Sequence, residues 1–124
     1  MALNRKQLQS KLSIVTSELL KEKGYISFVD VFIKLGYLDP KEYENWRMKK
    51  VPYLERVINI NLGKINFIMK TVRRNSLHGK FHPSLTGYKS WGKGRKIDLR
   101  FSKFGDSNVE KLYATQLVKQ SSVA

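Results

Sequence analysis

Residues 89–103 read KSWGKGRKIDLRFSK. The second half of this stretch alternates: Ile97, Leu99 and Phe101 interleave with Lys96, Asp98, Arg100 and Ser102. A period of two sends the apolar set to one face, which is the pattern of a half-buried strand. Tyr88 to Trp91 supplies an antiparallel mate, and Gly92, Lys93 and Gly94 supply the turn. The spacing predicts a β-hairpin over about 86–102 with its register open. This segment decides the fold class, because everything before it follows a helical period.

Leu8, Leu12, Val15 and Leu19 draw one apolar stripe along 5–23, with Lys21 and Lys23 in the last turn and Gly24 as the stop. Ser27 caps a second helix to about Leu35, which buries Phe28, Val31, Phe32 and Leu35 and ends at Gly36. The clearest local signal is LDPKE at 38–42. Asp39 is the cap, Pro40 takes the first helical position, where a missing N–H costs nothing, and Glu42 completes a capping box. The third helix runs to about Lys50, and Val51, preceding Pro52, is pushed out of helical geometry.

Leu54, Ile58, Leu62, Ile65, Met69 and Val72 continue a stripe that makes 52–76 the longest helix. Gly63, Asn59, Asn61 and Asn66 weaken helix preference there, so two shorter helices are the alternative. HGKFHPSLTG at 78–87 reads as a connector. After the hairpin, Ser107 and Glu110 repeat the capping-box spacing, and Val109, Leu112, Tyr113 and Leu117 outline a short last helix. Residues 120–124 have nothing to hold them and read as a frayed tail. The expected fold is mainly α with a small β-hairpin (α+β). It is one basic domain over 1–119: a helical bundle, then the hairpin, then a short C-terminal helix.

A chain of 124 residues suits one compact core. The absence of cysteine excludes a disulfide scaffold, thiolate metal ligands and cysteine nucleophiles. The N-terminus lacks the apolar stretch of a signal peptide, and no apolar run approaches the ~20 residues that span a bilayer, so a soluble, cytoplasmic protein without a transmembrane segment is expected. The balance of 24 Lys/Arg against 10 Asp/Glu gives a net charge of +14. Solubility needs far less, and such a field draws polyanions over long range. The expected partner is nucleic acid, DNA or RNA, with regulation as one role for such binding; an acidic protein is the alternative partner.

The excess is uneven. Residues 1–40 carry six basic and four acidic side chains, 41–80 carry ten and three, and 81–124 carry eight and three. Three basic groups stand out: Arg47, Lys49 and Lys50 ending the third helix; Lys70, Arg73 and Arg74 ending the long one; and Lys93, Arg95 and Lys96 at the hairpin tip. Lysine and arginine in such places contact phosphates, and glycines around Lys93 keep the loop slim. Asn45 is a candidate for a base edge, since amides pair well with adenine. Tyr88, Trp91 and Phe104 are candidates for stacking on bases.

Three short N-terminal helices, a longer helix and a late hairpin resemble, in element order alone, the winged helix-turn-helix modules. That resemblance implies helix three as the recognition helix, with the face carrying Arg56, Asn59, Asn66, Lys70, Arg73 and Arg74 as the other choice. No reaction is signalled. GKGRK lacks the pattern of a nucleotide-binding phosphate loop. His78 and His82 stand four apart, but Gly79 and Pro83 argue against a helix there, and no carboxylate completes a metal set. No cofactor is expected. A basic protein-interaction or assembly component and a small metal-independent nuclease using His82, Lys89 and Tyr88 are the alternative functions.

Overall fold

A computed structural model describes residues 4–77 and 81–119. The described residues form five α-helices and a small antiparallel sheet, in the order α1 (Arg5–Lys23), β1 (Tyr25–Ser27), α2 (Phe28–Leu35), α3 (Pro40–Arg47), a 3-10 turn (Leu54–Val57), α4 (Leu62–Leu77), β2 (Phe81–Leu85), α5 (Ser107–Ala114) and β3 (Thr115–Lys119). The mainly helical α+β expectation is thus met, with more sheet than the periodicity indicated.

The helices start and stop for local reasons. Asn4 and Gln7 form a reciprocal capping box at α1, and Gly24 closes it in the left-handed region at φ 79°. Ser27 accepts from the Asp30 N–H at the start of α2. Asp39 caps α3 through the Lys41 N–H, whereas Glu42 accepts from the Asn45 side chain, so the expected capping box is not made. Lys49 adopts φ 66° just beyond α3, which ends it three residues short of Lys50.

The continuous helix over 52–76 is two elements. Ile58 is extended and bridges Leu38, and the Asn59 N–H is drawn to the Tyr37 carbonyl at 2.7 Å. Asn61 then accepts from the Lys64 N–H at 2.8 Å, so α4 begins afresh at Leu62. Asparagine serves better as a cap than inside a helix, because its side chain competes for backbone bonds.

The sheet order is β1-β3-β2, all antiparallel, with Ile26 opposite Leu117 and Pro83 opposite Leu117 on the other side. None of these strands was expected: 78–87 contains β2, and the helix read through Leu117 stops at Ala114, where β3 begins. Pro83 disguised β2, yet an edge strand tolerates a residue without an N–H. The last cap is Asp106, not Ser107.

Between β2 and β3 the chain makes a long excursion, closed at its base by Thr86 N–H donating to Ala114 O at 3.0 Å. The expected hairpin is the outer arm of this excursion. Ser90 N–H donates to Ile97 O and Leu99 N–H to Tyr88 O, each at 2.9 Å, with Lys89 bridging Asp98. It is a short antiparallel arm outside the sheet. Phe101 is buried and Ile97 is 46% exposed, so only the inner end of the alternating stripe reaches the core.

The core joins Leu8, Leu12 and Leu19 of α1, Val31 and Phe32 of α2, Ile65, Ile68 and Val72 of α4, and an aromatic chain. Trp46 is fully buried, 5.1 Å from Phe101, which stacks on Tyr113 at 5.3 Å; Tyr113 meets Phe32 at 6.5 Å. The Trp46 indole N–H donates to Arg100 O at 2.8 Å. Each such ring contributes roughly 1.5–3 kcal/mol by burial. The chain of rings ties α3 and the arm to α2 and α5.

Candidate nucleic-acid interface

The arm is seated on α3 by Arg47. Its guanidinium lies over the rings of Trp91 at 4.9 Å, Tyr88 at 5.0 Å and Tyr43 at 5.7 Å, and donates to the Lys89 carbonyl at 2.8 Å. The Arg47 carbonyl accepts from the Trp91 N–H at 2.7 Å. Arg47 is half-buried, and its Nε lies out of solvent without a protein partner among the described residues. Of the first basic group, this arginine therefore faces its own chain.

Because the arm lies on α3, its tip meets the end of that helix. Gly92 and Gly94 both hold φ 96°, a region L side chains avoid, and a Cβ on Gly92 would stand 3.3 Å from the Met48 methyl. Lys49 and Lys50 follow Met48 directly and are exposed, as are Lys93, Arg95 and Lys96. Lys49 and Lys50 of the first group, some 45 residues from the third in sequence, are so brought beside the 92–96 loop, as one basic ridge. Lys96 folds back to donate to Gly92 O at 2.6 Å, closing the loop. Lys50 shares a hollow of about 330 Å³ with Asn45 and Arg56, which extends the ridge toward the 3-10 turn.

The second group sits elsewhere. Asn66, Lys70 and Arg73 are exposed at helical spacing on α4, opposite buried Ile65, Ile68 and Val72. Arg74 lines a polar groove between α4 and α1 with Gln9, Ser10, Ser13 and Thr71.

The acids explain why these cations are free. Glu18 and Glu22 pair with Lys34, Asp30 with Lys23, and Asp98 with Lys89. Asp39 and Asp106 cap helices. Glu110 accepts from the N–H groups of Phe101 and Ser102 and from the Ser102 hydroxyl. Glu55 accepts from the Lys103 N–H and the Tyr113 hydroxyl. Among the described residues, Lys49, Lys50, Arg56, Lys70, Arg73, Arg74, Lys93 and Arg95 have no ion pair.

The expected base contacts fare differently. Tyr88 is 9% exposed, and burial raises the pKa of its hydroxyl, against the opposing influence of Gln116 and Ser27 nearby. Trp91 is 41% exposed, but its ring meets Tyr43 edge-on at 5.8 Å and carries Arg47. Asn45 is half-buried and donates to Glu42 at 3.0 Å. Phe104 is 87% exposed. Sequence reasoning missed Arg56 as part of the ridge and Lys103 beside Phe104, whose ammonium lies 5.5 Å from that ring. The signal for Lys103 was its adjacency to an apolar residue in a Gly/Ser/Asp loop.

No group of three or more His, Cys, Asp or Glu side chains capable of holding a metal occurs among the described residues. His78 and the His82 side chain, and with them the four-residue histidine spacing, lie outside the described residues, as does the 120–124 tail. No helix of the described residues is long and apolar enough to cross a membrane. No protein family, curated protein or solved structure matches this chain.

Proposed function

We infer that this protein binds nucleic acid without catalysis, through phosphate contacts from the ridge of Lys49, Lys50, Arg56, Lys93 and Arg95. The observation that carries this reading is the division of labour among charges: Asp39, Asp106, Glu55 and Glu110 cap helices and hold loops, Glu18, Glu22, Asp30 and Asp98 pair with Lys34, Lys23 and Lys89, and the ridge cations have no ion pair among the described residues. Unpaired cations on one face repel each other in the free protein, and a polyanion relieves that repulsion while releasing its condensed counterions.

Element order adds a second support. The succession α1-β1-α2, then α4-β2-β3, with sheet order β1-β3-β2, resembles a winged helix-turn-helix. In that resemblance α4 takes the place of the recognition helix, α3 and the 3-10 turn are an insertion before it, and the excursion carrying the arm is an enlarged wing. Asn66, Lys70 and Arg73 then face a groove.

The test is a salt series of fluorescence anisotropy with labelled duplex DNA, single-stranded DNA and structured RNA, after co-purified nucleic acid is stripped. Five phosphate contacts give a slope of log K against log salt of about −4.5 on duplex. Absence of binding to all three at about 0.1 M salt sinks the reading.

A further inference from the structure

Phe104 is the most exposed large apolar side chain among the described residues, at 87%, and the backbone beneath it is held from several sides. Glu110 accepts from Phe101 N–H at 2.8 Å and from Ser102 N–H at 2.7 Å. Glu55 accepts from Lys103 N–H at 3.1 Å, and the Ser102 hydroxyl accepts from Gly105 N–H at 3.1 Å. Gly105 turns the chain at φ 67°. Two of the chain's ten acids are thus spent on fixing a five-residue loop, 101–105, whose outermost side chain is a bare ring.

A single exposed apolar side chain is ordinary on a protein surface; what sets Phe104 apart is the backbone beneath it, held by Glu55 and Glu110. A ring carried on a held backbone loses less conformational entropy when a flat partner lands on it than one on a loose loop does. Its surroundings indicate which partner. The Lys103 ammonium stands 5.5 Å from the ring centroid. Arg100 lies against Gly105 and over the Tyr53 ring, and Arg56 follows Glu55, the residue that holds the loop. A cation beside an aromatic face suits a nucleotide whose phosphate meets the lysine and whose base meets the ring. Tyr88 and Trp91 are engaged by other rings and by Arg47, whereas Phe104, of the three aromatics singled out in the sequence, presents most of its ring to solvent.

We propose that Phe104 is a stacking platform for an unpaired base, so that the preferred ligand is a nucleic acid with single-stranded bases beside the phosphates gripped by the ridge. This rests on the nucleic-acid reading above and narrows it to a substrate class. A fully paired duplex hides its base faces in the stack and gives the ring nothing to cover.

The experiment compares wild type with Phe104→Ala on two probes, a blunt hairpin duplex and the same hairpin with a short thymidine tail, by anisotropy across salt. Phe104 is solvent-exposed, so F104A keeps the wild-type circular dichroism and melting temperature. Wild type binds the tailed probe more tightly than the blunt one. F104A loses affinity for the tail by about 5- to 100-fold, changes the blunt probe less than about twofold, and leaves both salt slopes unaltered, because no phosphate contact is removed. In a Phe104→Trp variant the indole emission is quenched by the tailed probe alone. If wild type binds but F104A binds the tail equally well, the platform is refuted while the nucleic-acid reading stands. Equal losses on both probes refute it in favour of a wedge into the duplex. A wild-type self-association abolished by F104A, seen by sedimentation, refutes it in favour of a protein contact. No wild-type binding to either probe refutes the underlying reading.

Discussion

Replacing Arg47 with methionine separates a residue that seats the arm from one that meets a ligand. Methionine keeps the aliphatic stem and the Trp91 N–H to Arg47 O bond, which is backbone. It removes the charged donor to Lys89 O, worth about 1.5–3 kcal/mol. It also removes the cation from over Trp91 and Tyr88, at about 0.5–1 kcal/mol each. Against these losses stands the relief of a half-buried guanidinium whose Nε is unpartnered, about 1–3 kcal/mol. The net expected loss is about 2 kcal/mol, or a fall of about 8 °C in melting temperature for a chain of this size. Urea titration gives the stability. Amide exchange gives the location: the N–H groups of Ser90 and Leu99, which stitch the arm, exchange faster, while those of α1 do not. Arg47→Lys is expected to lose nearly as much, since an ammonium cannot lie flat among three rings. Stability of Arg47→Met within about 0.5 kcal/mol of wild type, with unchanged exchange at Ser90 and Leu99, would refute the clasp.

Glu110→Gln keeps the shape but gives up the charge that holds the 101–105 loop, and a loss of about 1–3 kcal/mol by urea titration is expected; a change under about 0.5 kcal/mol means the loop is held otherwise. Stability is also expected to fall at alkaline pH. Burial, then the Glu55 carboxylate, raises the pKa of Tyr113, and burial raises that of Tyr88. Above pH ~10 the unfolded chain sheds these protons and the folded chain keeps them. The contribution is whole below that pH and declines above it by up to about 1.4 kcal/mol per pH unit for each ring. Chemical denaturation between pH 9 and 11 checks the slope, and Tyr113→Phe should flatten it; a slope unchanged by that substitution contradicts the assignment.

What the sequence disclosed and what it withheld divide along a physical line. Helix caps and stripes are local, and Asn4 aside, the end of α1 and the starts of α2 and α3 were readable from Gly24, Ser27 and the Asp39-Pro40 pair. The sheet was not, because its three strands are three to five residues long and pair across 30 to 93 residues. Thr115–Lys119 carries a leucine at a helical distance from Tyr113, and only the partners Tyr25–Ser27 and Phe81–Leu85 make it a strand. Arg47 and Lys49 look alike in a basic run. Their difference arises when the arm delivers Tyr88 and Trp91 to one of them. The joining of Lys49 and Lys50 to the 92–96 loop has the same origin, a tertiary contact between Met48 and Gly92.

The most direct test of the ridge is a comparison of two neutralised proteins, Lys49→Gln/Lys93→Gln/Arg95→Gln and Lys70→Gln/Arg73→Gln/Arg74→Gln, each titrated against one nucleic acid across salt. All six side chains are exposed, so both proteins should fold as wild type does. If the ridge grips phosphates, the first triple shallows the salt slope by about 2–3 and weakens binding at every salt concentration tested. Wild-type slope and affinity in that triple would contradict the ridge. If the α4 triple alone then lost its slope, the contact would move to the helix that the winged resemblance puts in the groove.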